Sequence, residues 1–142
     1  VKKGFTSFME GDVLFAKITP CMENGKAAIA TNLKNGIGFG STEFHVLRPK
    51  IDNIAEFIYS FIHLEKFRKI SANNFSGAVG HKRVPKDFLE KFKVIKPPIE
   101  LIEGYAAIYK AVKGLVSIQD LAINEYDELF GSLSQKAFSG EL

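Results

Sequence analysis

The sequence predicts an α+β protein. A small mixed or antiparallel sheet domain with packed helices comes first, over residues 1–98. A long C-terminal α-helix of coiled-coil type follows, over residues 99–142. Three observations carry this reading. In the first fifty residues, short apolar alternations are punctuated by Asn24-Gly25 and Asn35-Gly36, steps that supply the positive φ of tight hairpin turns. After Asp52 the apolar residues recur at helical spacing. From Ile99 to about Phe138 they advance by alternating steps of three and four, the signature of a heptad seam.

The elements follow in order. Residues 12–19, "DVLFAKIT", are apolar and β-branched enough for a strand, and Pro20 ends it. "AAIAT" is a second short strand. "STEFHVLRP" alternates, with Phe44 and Val46 on one side and Glu43, His45 and Leu47 on the other. The first fifty residues therefore read as an antiparallel meander, with Gly36, Gly38 and Gly40 as turn and bulge positions. One helix is expected over "IAEFIYSFIHLEKFRKISANN", capped by Asp52 or Asn53 with Glu56 in its first turn. Ile54, Phe57, Ile58, Phe61, Ile62 and Ile70 mark its inner face. Lys66, Arg68 and Lys69 end the opposite face near the C-terminus, where the helix dipole favours cations. A loop, "NNFSGAVGHKRVPKD", leads to a short helix, "KDFLEKF", with Pro85 near its start and Phe88, Leu89 and Phe92 turned inward. "KVIKPP" reads as a closing strand stopped by Pro97-Pro98.

The seam of the long helix comprises Ile102, Tyr105, Tyr109, Val112, Val116, Gln119, Ile123, Tyr126, Phe130, Leu133 and Ala137. Leu101, Ile108, Leu115, Ala122 and Leu129 flank it, so the apolar face is wider than a two-stranded seam. At 1.5 Å per residue such a rod is roughly 50 Å long. Gly114 and Gly131 weaken it by about 1 kcal/mol each. A small domain cannot cover a rod of that length, so a partner helix is expected against the seam. The competing arrangement is a break at Gly114 and a helical hairpin.

Composition bounds the function. Apolar residues make up 46% of the chain and charged residues 25%, which is globular rather than disordered. No apolar run reaches the ~18 residues of a membrane helix, and "VKKGFTSFMEGD" holds no signal-type segment. Cytoplasm is the default compartment. Cys21 is the only cysteine, so no intrachain disulfide can form. One cysteine with His45, His63 and His81 scattered along the chain argues against a structural zinc site. Net charge is +3, but residues 1–98 carry 16 Lys and Arg against 9 Asp and Glu, while residues 99–142 carry 3 against 7. The basic part suits a polyanion and the acidic part suits protein contact, although chance alone could give such an imbalance.

Catalytic patterns are missing. A phosphate-binding loop needs its glycines between a strand and a helix N-terminus. Here Gly36, Gly38 and Gly40 lead into a strand, and no Gly-Lys-Ser or Gly-Lys-Thr occurs. Cys21 lacks a nucleophile motif and reads as a small packed residue. Glu10, Asp12, Glu23 and Glu43 read as solvated turn carboxylates before they read as a metal site. Lys96-Pro97-Pro98 is not the Asn-Pro-Pro-aromatic of amino-methyltransferases. No self-contained enzyme is visible.

Three stretches carry a resemblance. "GDVLFAKITPCMENGKAAIATNLKNGIGFGSTEFHVLRP" resembles the second part of a target-recognition domain in the specificity subunit of type I restriction–modification enzymes. "FSGAVGHKRVPKDFLEKFKVIKPPIELIE" is similar to that domain's closing loop, short helix and strand. "LFGSLSQKAFSGEL" looks like the end of its spacer helix. The resemblance implies a non-catalytic subunit whose recognition domains read double-stranded DNA and whose spacer helices pack antiparallel. It implies docking to modification subunits, which methylate adenine with S-adenosylmethionine, and indirectly to the restriction subunit. S-adenosylmethionine, ATP and Mg would then belong to partner subunits. A complete subunit has two recognition domains and two spacers, whereas this chain has one of each. The recognition domain's usual amino-terminal segment is missing before Val1, which points to a fragment or truncated gene product. Two copies pairing their spacers antiparallel would mimic a whole subunit.

Within that frame Lys82 and Arg83 are the leading phosphate contacts, with Lys17 and Lys26 behind them. Asn24, Ser41, Thr42, Glu43 and His81 are the candidates for base edges, since Asn pairs with adenine and Glu accepts from cytosine N4. The plainer alternatives are a solvated basic loop, a turn role for Asn24 and a hairpin charge at Glu43. Ile102, Tyr105, Tyr109, Val112, Val116, Ile123, Tyr126, Phe130 and Leu133 are the expected helix interface.

Overall fold

A computed structural model describes residues 4–78 and 82–141. Five strands, β1 (Thr6–Met9), β2 (Val13–Ala16), β3 (Ala27–Ile29), β4 (Ile37–Gly40) and β5 (Phe44–Leu47), precede four helices, α1 (Ala55–His63), α2 (Glu65–Asn73), α3 (Lys86–Lys91) and α4 (Ile99–Ser139). The α+β class is as the sequence predicts. The chain divides into two compact units, with the boundary after Ala106.

The strands do not form a simple meander. β2 lies at the centre of an antiparallel three-stranded sheet, between β3 and β5, while β1 and β4 form a separate antiparallel pair. Of the glycines expected at turn and bulge positions, Gly36 stands in the turn, whereas Gly38 and Gly40 lie in β4. Their missing side chains leave room for two aromatic rings. A Cβ on Gly38 would come within 2.3 Å of the Phe8 ring, and one on Gly40 within 2.9 Å of the Phe44 ring. Phe8 and Phe44 meet edge-to-face at 5.9 Å. Asn35, at φ 58°, and Gly36, at φ 69°, supply the turn that opens the strand.

One face of the three-stranded sheet is the floor of the core. Val13 and Phe15 of β2 are fully buried and join Met22, Ile62, Phe67 and Val84 in one cluster. Alternation places Leu47 opposite Val13 and His45 opposite Phe15, on the same face. The predicted single helix is two. Leu64 is extended, at φ −62° and ψ 125°, and separates α1 from α2. Positions six apart lie roughly 120° apart around one straight helix, so Phe61 and Phe67 could not share a partner there. The break lets both reach Phe92, with ring centroids at 5.9 and 5.1 Å, and each other, at 4.9 Å. It also moves Lys66 and Lys69 away from the expected last turn. Asn53 adopts a left-handed conformation and the N-cap falls to Ile54, so neither expected residue caps α1. α3 starts after Pro85, and Phe88, Leu89 and Phe92 pack on the core as expected. The segment "KVIKPP" is not a strand. Ile95 is 86% exposed, so no sheet face claims it.

α4 begins with the N–H groups of Leu101 and Ile102 donating to the Pro98 carbonyl. Ile102 and Ala106 are buried, and Tyr105 packs edge-to-face on Phe57 at 6.4 Å. The second unit is a single uninterrupted helical segment that passes through Gly114 and Gly131 without a break. Gly140, at φ 78°, ends it, and the Glu141 N–H returns to the Lys136 carbonyl at 2.9 Å.

An ion pair fastens one end of the sheet. Asp12 is 1% exposed and accepts from Arg48 Nε at 2.9 Å and Nη2 at 2.7 Å, while its Oδ2 also accepts the Met9 N–H at 2.7 Å. The Arg48 hydrogen bond holds the Asp12 carboxyl below its ordinary pKa of 3.8, against the opposing effect of burial. A carboxylate shifted this way stabilises the fold fully above pH about 4 and loses its contribution as pH falls through the folded-state value. Asp12→Asn is expected to cost about 1–2 kcal/mol at neutral pH. It should also flatten the acid limb of a urea-denaturation stability profile recorded from pH 7 to pH 2.

Candidate nucleic-acid interface

Residues scattered through the sequence meet at one end of the three-stranded sheet. Because the strands are antiparallel, β2 leaves the sheet where β3 and β5 enter it. Lys17 follows β2, Asn24 and Lys26 precede β3, and Ser41, Thr42 and Glu43 precede β5. The loop that carries Lys82 and Arg83 is pinned to the same end. The Thr19 N–H donates to the Lys82 carbonyl at 3.0 Å, and the Val84 N–H donates to the Lys17 carbonyl at 2.9 Å. Arg83 forms isolated bridges to both Ile18 and Ser76. His81, also expected here, lies outside the described residues.

Backbone bonds weave the end together. The Lys17 N–H donates to the Glu43 carbonyl at 3.0 Å, and the Ala16 N–H to the Lys26 carbonyl at 3.0 Å. The Glu43 N–H donates to Ser41 Oγ at 3.0 Å, which gives Ser41 a turn role. Asn24 sits in the β2–β3 turn, where its N–H donates to the Pro20 carbonyl. The Ser41, Thr42, Asn24, Lys26 and Lys82 side chains are exposed and Lys17 is half-buried. Arg83 and Glu43 form a two-pronged ion pair, Nε to Oε2 and Nη2 to Oε1, each at 2.8 Å. A guanidinium held in this planar fork is oriented rather than free to sweep.

A family model described as the type I restriction modification DNA specificity domain matches residues 1–125. The chain belongs to this family. The EcoAI specificity subunit of a type I restriction enzyme of Escherichia coli is 46% identical over 101 residues, 70% of this chain and 17% of its own length. The EcoEI specificity subunit of the same organism is 42% identical over 99 residues, 69% of this chain and 17% of its own length. The chain thus spans about one sixth of the length of the curated relatives it matches. No solved structure gives a significant match.

Two residues of this specificity domain do positional work that the sequence hid. Arg68, expected on an exposed basic face, is half-buried and donates from Nη1 to the Glu23 carbonyl at 2.8 Å. It also lies 3.4 Å from where a Cβ on Gly25 would stand, and Gly25 itself is at φ 68°. Arg68 therefore holds the β2–β3 turn from α2. Thr19 adds a hydroxyl hydrogen bond to the Glu23 carboxylate. His45 anchors the other side, its Nε2 donating to the Val84 carbonyl at 2.8 Å. No sequence signal marks either link, because each joins residues 39 or 45 positions apart. Among the described residues no helix is long and apolar enough to cross a membrane.

The expected helix interface lies on α4. Ile102 is buried within its own unit. Tyr105 is partly covered. Val112, Val116, Ile123, Tyr126, Phe130 and Leu133 are exposed, between 42% and 73%. Tyr109 is half-buried.

Burial pushes the His45 pKa below 6.5, the Val84 carbonyl opposes this, and the Lys17 and Lys86 charges add to it. The unfolded chain takes up the proton first as pH falls, so stability declines from about pH 6.5 until the folded-state pKa is passed. Replacing His45 with Gln is expected to remove this decline, measured as the difference in urea midpoint between variant and parent from pH 7.5 to pH 5.

Proposed function

We propose that the chain is a DNA sequence-recognition part of a type I restriction–modification specificity subunit. In this reading it performs no chemistry, reads one half-site, and docks modification subunits through α4. The observation that supports it most is the convergence of Lys17, Lys26, Lys82, Arg83 and the polar run Ser41–Glu43 at one sheet end. That convergence occurs in a chain whose curated relatives are named specificity subunits.

In this reading the side chains divide the labour. Lys82, Lys26 and Lys17 neutralise phosphates and fix the register of the head on the duplex. Asn24, Ser41 and Thr42 stand in turns whose side chains reach base edges. Glu43 and Arg83 act as one unit, because each fixes the other through two hydrogen bonds. S-adenosylmethionine, ATP and Mg would be held by partner subunits, and the restriction subunit would be reached only through them. Two copies joined antiparallel along α4 would supply the two heads and two helices of a whole specificity subunit.

A second reading is an assembly module that pairs helices and does not bind DNA by itself. The Glu43–Arg83 pair favours it, since each group already spends charge on the other. The readings separate in a salt titration with a labelled duplex, alone and with the modification subunit. The proposal predicts binding that weakens steeply with salt, with Lys82→Ala and Lys26→Ala each lowering the slope of log K against log salt by about one unit. Binding absent under both conditions leaves only the assembly module.

A further inference from the structure

We infer that Asn24 reads an adenine in the major groove and that Arg68 is the positioning residue that aims it. This rests on the DNA-recognition reading proposed above and names one base contact within it. The base-edge candidates differ in what their side chains have left to offer. Ser41 Oγ accepts the Glu43 N–H, and the Glu43 carboxylate is held by Arg83. Thr42 is exposed, but a lone hydroxyl bonds to any base. Asn24 is exposed, and among the described residues its side-chain amide makes no hydrogen bond, while its backbone N–H donates to the Pro20 carbonyl at 3.0 Å. Such an amide presents a donor and an acceptor side by side, which N7 and the N6 amino group of adenine complement.

A two-bond contact of this kind tolerates little displacement, because hydrogen bonds weaken steeply away from their preferred angle. The turn that carries Asn24 is pinned at its base. Met22 is fully buried, the Gly25 N–H donates to the Met22 carbonyl at 2.9 Å, and the Lys26 N–H donates to the Cys21 carbonyl at 2.9 Å. The crest of the turn is held from outside at one point. Arg68 Nη1 donates to the Glu23 carbonyl at 2.8 Å, and among the described residues no other hydrogen bond from another element reaches residues 23–25. Gly25 is buried, at φ 68°, and a Cβ there would stand 3.4 Å from Arg68 Cδ and 3.5 Å from His63 Cδ2. The arginine stem and the end of α1 thus close on the residue next to Asn24. Arg68 acts from beneath rather than as a phosphate contact, since its Nε is shut off from solvent and its Nη1 faces the Glu23 carbonyl.

The test is a selection from a pool of labelled duplexes with a randomised centre, using the full chain together with the modification subunit, followed by sequencing of the bound fraction. The parent is expected to select an A·T pair at one position. Asn24→Ala should lose that preference, and no other, by roughly tenfold, the discrimination of a bidentate amide contact. Arg68→Met should lose the preference at the same position by about fivefold or more, and the Asn24→Ala/Arg68→Met double variant should be no worse than Asn24→Ala alone. The slope of log K against log salt should stay that of the parent in Arg68→Met, unlike Lys26→Ala, because the lysines reach phosphates from flexible stems. Gly25→Ala disturbs the turn without touching α2 and should lose the same preference, so the inference stays testable if Arg68→Met does not fold. A parent that binds but selects no A·T pair, or that keeps the pair in Asn24→Ala, overturns the inference and leaves DNA recognition standing. An unchanged preference in Arg68→Met, or a slope lowered by about one unit, overturns the positioning role. A parent that binds no duplex, with or without the modification subunit, overturns the proposed function and the inference together.

Discussion

An apolar stripe runs along the whole of α4, and only its beginning is buried. Ile102 and Ala106 are covered, whereas Ile108, Leu115, Tyr126, Leu129 and Phe130 are each more than half exposed. At roughly 25 cal/mol per Å² of apolar surface, a stripe of this length represents many kcal/mol that only another surface can recover. In proteins most of a helix's stability comes from packing its apolar face rather than from intrinsic propensity. In the proposed function this stripe is the feature through which another helix would be recruited.

The head meets a different constraint. Its described recognition candidates come from four separate stretches, each outside the five strands. Turns are free to vary their side chains because the core lies elsewhere, under Phe15, Ile62 and Phe67. What keeps the turns in place is a ring of contacts below them. Arg68 supports the β2–β3 turn, His45 holds β5 to Val84, and Asp12 with Arg48 fastens the far end of the sheet. In the proposed function, a firmly held floor would let the exposed side chains above it differ without disturbing the core.

Much of this was legible in the sequence. β2, β3, β5, α3 and α4 stand where periodicity and turn residues put them, because each is governed by local pattern. The seam on α4 was the clearest signal of all, since nothing tertiary competes with it past its first turns. Failures came where distant groups decide. β4 exists because Phe8 and Phe44 cover Gly38 and Gly40, and glycine alone gives no hint of that. The split at Leu64 serves the Phe61–Phe67–Phe92 cluster, whose third member is 25 residues beyond the second. The residue types of the candidate interface were visible, but their gathering at one sheet end and the pairing of Glu43 with Arg83 needed the fold.

Amide hydrogen exchange across residues 112–138, followed as the protein is diluted, tests most directly whether α4 depends on another chain. Protection that is strong in concentrated solution and collapses on dilution, while the amides of β2 and α1 stay protected, is the expected result. Strong protection of residues 112–138 that does not change with concentration would contradict it, because the helix would then be stable without a partner.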